Sequence, residues 1–157
     1  MAAIKRSSNV VWEGTIARER VDRRPTARVR RVARDASLRF GEPEGKTSPE
    51  LIAAAHATCF TMALGLVLAR EHTPPERLAV DAVITLAEVD GSYTITRTEL
   101  EVVGRVAGID QAVFERAEQE AEQRCPVSRA LAGSVEIRTQ THLEAPSKPL
   151  ETADRPG

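Results

Sequence analysis

The sequence predicts one mixed α and β domain, and three features carry that expectation. A long apolar run from Leu51 to Ala69 follows a helix-start signature. Two alternating segments, 78–86 and 94–106, flank an Asp-Gly pair, which is the pattern of a hairpin. An amphipathic segment from Asp110 ends at the pair Cys125-Pro126. The chain has 157 residues, 41% of them hydrophobic, which suits a single core; the expected domain spans residues 1–144.

Taken in order, the first eight residues carry charge with no apolar run behind them, so no secretory signal is expected and the location expected is cytoplasmic. From Asn9 to Thr15, Val10-Val11-Trp12 before Glu13-Gly14 reads as a short strand and turn. Between Arg18 and Arg34 stand eight arginines in seventeen residues, interrupted by Glu19, Asp22 and Pro25. A phosphate-binding surface and a solvated hairpin face both fit that composition. The stretch has no aromatic to stack a base, and the chain as a whole balances 22 Lys and Arg against 23 Asp and Glu, so the solvated face is preferred and no nucleic-acid partner is expected. Ala36 to Phe40 reads as another strand, and residues 41–46 as a loop.

Thr47-Ser48-Pro49-Glu50 announces a helix: a capping residue, a proline in the first turn, and a Thr-x-x-Glu spacing. In the helix that follows, 51–69, His56, Thr58 and Thr61 are the clearly polar members, so it is apolar on all sides. Its length would allow a membrane span. It is Ala-rich and solitary, however, so a central helix enclosed by sheet or by a second subunit is preferred, with no membrane partner. Burial on every side is hard to achieve in so small a monomer, which favours a homodimer.

Thr73-Pro74-Pro75 breaks the helix. Leu78, Val80, Ala82, Ile84 and Leu86 alternate as in a half-buried strand, Asp90-Gly91 turns it, and 94–106 returns. Asp110 can cap a second helix in which Phe114, Ala117 and Ala121 form an apolar stripe, with Glu115, Glu118, Glu120 and Glu122 expected in water. Four residues further along that stripe lies Cys125. Pro126 forces a fresh helix start there, so Cys125 is expected where unpaired backbone amides collect. Ser134 to His142 reads as a last strand, and 145–157, with three prolines and no apolar period, as a disordered tail.

Composition narrows the chemistry. Three Phe, one Trp and one Tyr are too few for a base- or sugar-stacking platform, and two cysteines are too few for a disulfide scaffold or a tetrathiolate zinc site. The pair Cys59 and Cys125 is therefore the main question. A thiolate is the nucleophile, and a free thiol with a pKa of about 8.5 needs a nearby cation or helix N-terminus to ionise at neutral pH. Arg39, between Leu38 and Phe40, is the candidate cation, and Glu50 could orient it through a bidentate pair. Two alternatives stay open: a metal module using His56 and Cys59 at i, i+3 with Cys125, and a binding protein with inert thiols.

The run from Thr47 to Phe60, with Met62-Ala63-Leu64 and later Cys125-Pro126-Val127-Ser128, resembles the two cysteine motifs of the OsmC/Ohr family, the osmotically inducible and organic hydroperoxide resistance proteins. Val11-Trp12-Glu13-Gly14, Arg39-Phe40, His56-Ala57 and Gly108-Ile109-Asp110 are similar to the OsmC branch, and the likeness runs from Ile4 to Leu143. The resemblance implies an α+β fold, an intertwined homodimer whose antiparallel sheets enclose long central helices. It also implies a cytoplasmic thiol-dependent peroxidase of oxidative and osmotic stress defence. Organic hydroperoxides would be its substrates, a dithiol such as a dihydrolipoyl group its reductant, and it would need no metal or organic cofactor. By the same resemblance Cys59 matches the peroxidatic cysteine, Cys125 the resolving one, and Arg39 the arginine that holds the thiolate. The family places its functional glutamate ten residues ahead of the first cysteine. Here that place is Pro49, so Glu50 either takes the role by a local shift or is the second glutamate of the family's pair.

Overall fold

A computed structural model of the chain describes residues 4–13 and 48–145. The arginine-rich stretch, the strand expected at 36–40 with Arg39, the loop 41–46, the Thr47 cap and residues 146–157 of the expected tail lie outside the described residues. The described elements run β1 (Ile4–Glu13), α1 (Ser48–Arg70), β2 (Arg77–Val89), β3 (Ser92–Arg105), α2 (Gln111–Arg124), α3 (Pro126–Leu131) and β4 (Glu136–Glu144). The four strands form one sheet in chain order.

β2 and β3 form the expected hairpin. Asp90 and Gly91 have φ of 50° and 76°, the left-handed pair that a tight two-residue turn requires. Thr85 faces Arg97 and Leu86 faces Ile95, so Thr96 is an extra residue that bends the ladder. β1 pairs antiparallel with β2 from Ile4↔Leu86 to Glu13↔Arg77, a longer strand than its sequence pattern indicates. Arg6, buried, and Ser8, half-buried, hold inward positions ahead of Val10, so the first half of the strand alternates without the apolar residues that would advertise it.

β4 corrects the expectation of purely antiparallel sheets. It lies parallel to β3, from Arg97↔Glu136 to Arg105↔Glu144. The connection between them carries α2 and α3, and such a crossover returns the chain to the end from which β3 started.

α1 packs across the sheet. Phe60, Leu64 and Leu68 of the helix meet Leu78, Val80 and Ile84 of β2 and Leu100 and Val102 of β3 in one cluster, which Phe114 of α2 joins. Full burial of each large side chain contributes about 2–3 kcal/mol. Ala53, Ala57 and Ala63 keep the approach close, and the buried Thr61 hydroxyl donates to Ala57 O at 2.7 Å, so it enters the core satisfied. The helix is long and apolar enough to cross a membrane, but one face is built into this core. The described residues do not cover it on every side: Ala55, Thr58, Met62 and Leu66 form an exposed stripe, with Met62 at 55% and Leu66 at 46%.

α2 begins as expected, with Asp110 Oδ1 accepting from Val113 N at 2.8 Å. Phe114, Ala117 and Ala121 face inward. Glu118 was expected in water and is instead 8% exposed, because the inward face of α2 is wide enough to take a fourth position beside Ala117 and Ala121. Gly104 of β3 makes room for Phe114: a Cβ there would collide with the tip of the ring.

Candidate active site

Cys125 closes one helix and opens the next. Its N–H donates to Ala121 O at 2.8 Å, its carbonyl accepts from Arg129 N at 3.0 Å, and Pro126 takes the first position of α3. The Ser128 N–H points at Cys125 Sγ across 3.5 Å, so the sulfur serves as the N-cap that the Cys-Pro pair implied. Cys125 is fully buried; Cys59, midway along α1, is half-buried, and both thiols are free.

The two meet. The Cys59 thiol lies within hydrogen-bonding reach of the Cys125 thiol and of the Val127 backbone N–H. Burial pushes the Cys59 thiol up from its ordinary value, the Val127 N–H draws it back, and Cys125 adds a smaller upward push. Among the described residues, the pull toward thiolate thus comes from a backbone amide rather than from a side-chain cation.

Cys59 opens onto a groove of about 540 Å³ whose apolar walls are Met62, Ala63, Leu66 and Val67. Arg70, Arg124 and Arg129 stand at its margin, Arg124 held by Glu120 at 2.6 Å. Phe60, the next residue after Cys59, is turned into the core and does not line it. Successive helix positions lie about 100° apart, so the neighbour of a groove-facing residue can face the core.

Glu50, 4% exposed at the start of α1, has the Arg6 guanidinium of β1 beside it, Nε to Oε1 3.9 Å. Arg39, the partner expected for it, lies outside the described residues. Arg6 carries no motif signal in the sequence; a charged residue at an inward strand position becomes visible only once the register is known.

His56 is fully buried one turn before Cys59. Its Nδ1 is 3.1 Å from Thr98 Oγ1 on β3, and its Nε2 is 2.9 Å from Ser128 Oγ on α3. Burial lowers its pKa to about 4, so the ring is neutral near pH 7. One nitrogen then donates to a hydroxyl and the other accepts from one. With both nitrogens engaged, His56 serves as a bridge rather than as a free ligand, and among the described residues no group of three or more His, Cys, Asp or Glu is placed to hold a metal ion.

A family model described as OsmC-like protein matches residues 41–140. The peroxiredoxin OsmC of Escherichia coli is 36% identical over 104 residues, covering 66% of this chain and 73% of that protein. The organic hydroperoxide resistance protein OhrA of Bacillus subtilis is 32% identical over 108 residues, 68% and 74% of the two chains. Among solved structures, OhrB of Bacillus subtilis superposes with a TM-score of 0.54 at 21% identity, over 67% of this chain and 76% of that one. An OsmC-like protein from Mycoplasma pneumoniae superposes with a TM-score of 0.58 at 14% identity, over 64% and 74%. These two likenesses concern the fold.

Proposed function

Because the chain belongs to the OsmC family, we propose that it is a cysteine-based peroxidase that reduces organic hydroperoxides in defence against oxidative and osmotic stress. The observation that carries the reading is one half-buried thiol, Cys59, open to an apolar groove and backed by a second, fully buried thiol. The groove favours an alkyl peroxide over hydrogen peroxide, since burying the alkyl group contributes about 0.8 kcal/mol per methylene.

In the cycle, the Cys59 thiolate attacks the distal peroxide oxygen. The O–O bond breaks, the alkoxide leaves with a proton as alcohol, and the sulfur becomes a sulfenic acid. Cys125 then attacks that sulfur. A sulfur–sulfur bond forms, the S–O bond breaks, and the hydroxyl leaves with the Cys125 proton as water. A dithiol, for which a dihydrolipoyl group is the proposed form, reduces the disulfide by exchange. Arg39 is carried over from the family motif as the cation that holds the thiolate, and Glu50 as the carboxylate that orients a guanidinium near the site.

We also propose a cytoplasmic homodimer. The stripe of Ala55, Thr58, Met62 and Leu66 leaves large apolar side chains in water, and the same stripe borders the groove, so a second copy packed there would shelter both.

The test is a peroxidase assay with cumene hydroperoxide and a dithiol. Loss of turnover in Cys59→Ser is the expected result; turnover at the parent rate ends the proposal.

A further inference from the structure

Three side chains join elements that the peroxidase cycle needs held together. His56 sits on α1 three residues before Cys59, and Ser128 sits on α3 three residues after Cys125. Between them runs a 2.9 Å hydrogen bond with both partners buried, and a 3.1 Å bond to Thr98 anchors the far side of the ring to β3. Ser128 also presents its own N–H to Cys125 Sγ, and it directly follows Val127, whose N–H reaches the Cys59 sulfur. A displacement of residue 128 therefore moves both sulfur contacts together.

We propose that His56 is a positioning residue: through Ser128 it locks the segment 125–128 against the helix that carries Cys59, holding Cys125 in reach of the Cys59 sulfur and the Val127 N–H aimed at it. The assignment rests on the two-cysteine reading above. It concerns residues that do not line the groove at Cys59, and both hydroxyl bonds suit a neutral imidazole.

Two isosteric substitutions separate the two bonds. In His56→Gln the side-chain amide reaches the place of Nε2 and keeps a partner for Ser128. In His56→Asn it reaches the place of Nδ1 and keeps only Thr98. Ser128→Ala removes the same link from the other side and leaves the imidazole in place, so it serves if His56→Asn fails to fold.

Two measurements apply to each folded protein. The first is the pH dependence of iodoacetamide alkylation at Cys59, read by mass spectrometry. The second is a single turnover with one equivalent of cumene hydroperoxide, following sulfenic acid trapped by dimedone against disulfide formed. His56→Asn and Ser128→Ala are expected to shift the alkylation midpoint upward and to slow disulfide formation by about tenfold or more, with sulfenic acid accumulating. His56→Gln is expected to restore both toward the parent. Parent-like behaviour of folded His56→Asn or Ser128→Ala in the alkylation profile overturns the proposal. If the parent itself forms no disulfide with peroxide, the two-cysteine reading fails, and the alkylation profile still decides whether His56 sets the surroundings of Cys59.

Discussion

Cys59 is one sulfur under opposing influences: burial and a neighbouring thiol disfavour its charge, and one backbone amide favours it. In the proposed cycle its partner Cys125 acts only after oxidation, so Cys125→Ser should leave the first turnover intact and stop the second. Mass spectrometry of that variant after excess hydroperoxide should find Cys59 as sulfenic acid or its over-oxidised products, whereas sustained turnover would contradict the resolving role. Both cysteines could be identified from the sequence because each sits in a short local motif. The hydroxyls around His56 could not, since Thr98 and Ser128 are 42 and 72 residues away and no local pattern links them. Arg6 beside Glu50 was hidden for the same reason: an ion pair between a strand and a helix start depends on register, not on spacing.

At the scale of single elements, α2 and its seat on β3 are the places to probe. The Phe114 ring occupies the volume that a side chain at 104 would need, so Gly104→Ala is expected to cost about 1–3 kcal/mol, seen as a lower urea midpoint. An unchanged midpoint would mean that the ring can move aside. Asp110→Ala removes the cap on Val113 N and should cost about 1 kcal/mol, without change in the alkylation of Cys59. The cap and the Asp90-Gly91 turn were legible because each follows from a residue type at a fixed offset. The parallel placement of β4 was not, because a strand's own alternation is the same in either direction.

Across the whole molecule, two buried titratable groups set opposite dependences on pH. Burial lowers His56 to about 4, so its contribution is complete above its ordinary value of 6.5 and is lost as pH falls through 4. Glu118 is raised to about 7, first by burial and then by Glu122; Thr139 on β4 offsets this slightly, and among the described residues Glu118 Oε1 has no hydrogen-bond partner. A raised carboxyl binds more protons folded than unfolded, so its contribution is complete below its ordinary 4.5 and is lost as pH rises through 7. Glu118→Gln should therefore match the parent near pH 4.5 and exceed it at pH 8 by about 1–3 kcal/mol in urea unfolding. A variant less stable at both values would show that the carboxylate has a favourable partner. The exposed stripe on α1 belongs to this scale too. If a second copy covers it, Leu66→Glu should sediment as a monomer where the parent sediments as a dimer; a parent already monomeric would refute the proposed assembly.

Local sequence was enough for the order of the described helices and strands, the turn between β2 and β3, the helix break at Cys125-Pro126 and the two cysteines on which the proposed chemistry rests. Each of these follows from local conformational preference or from a reactive group in a short motif. Packing of the whole chain set the rest: that Cys59 and Cys125 meet, that Met62 lines the groove while Phe60 enters the core, that Glu118 is buried, and that His56 ties α1 to both β3 and α3. Those facts depend on how helix faces rotate and strands register when apolar surface is buried, a property of the whole core rather than of any one segment.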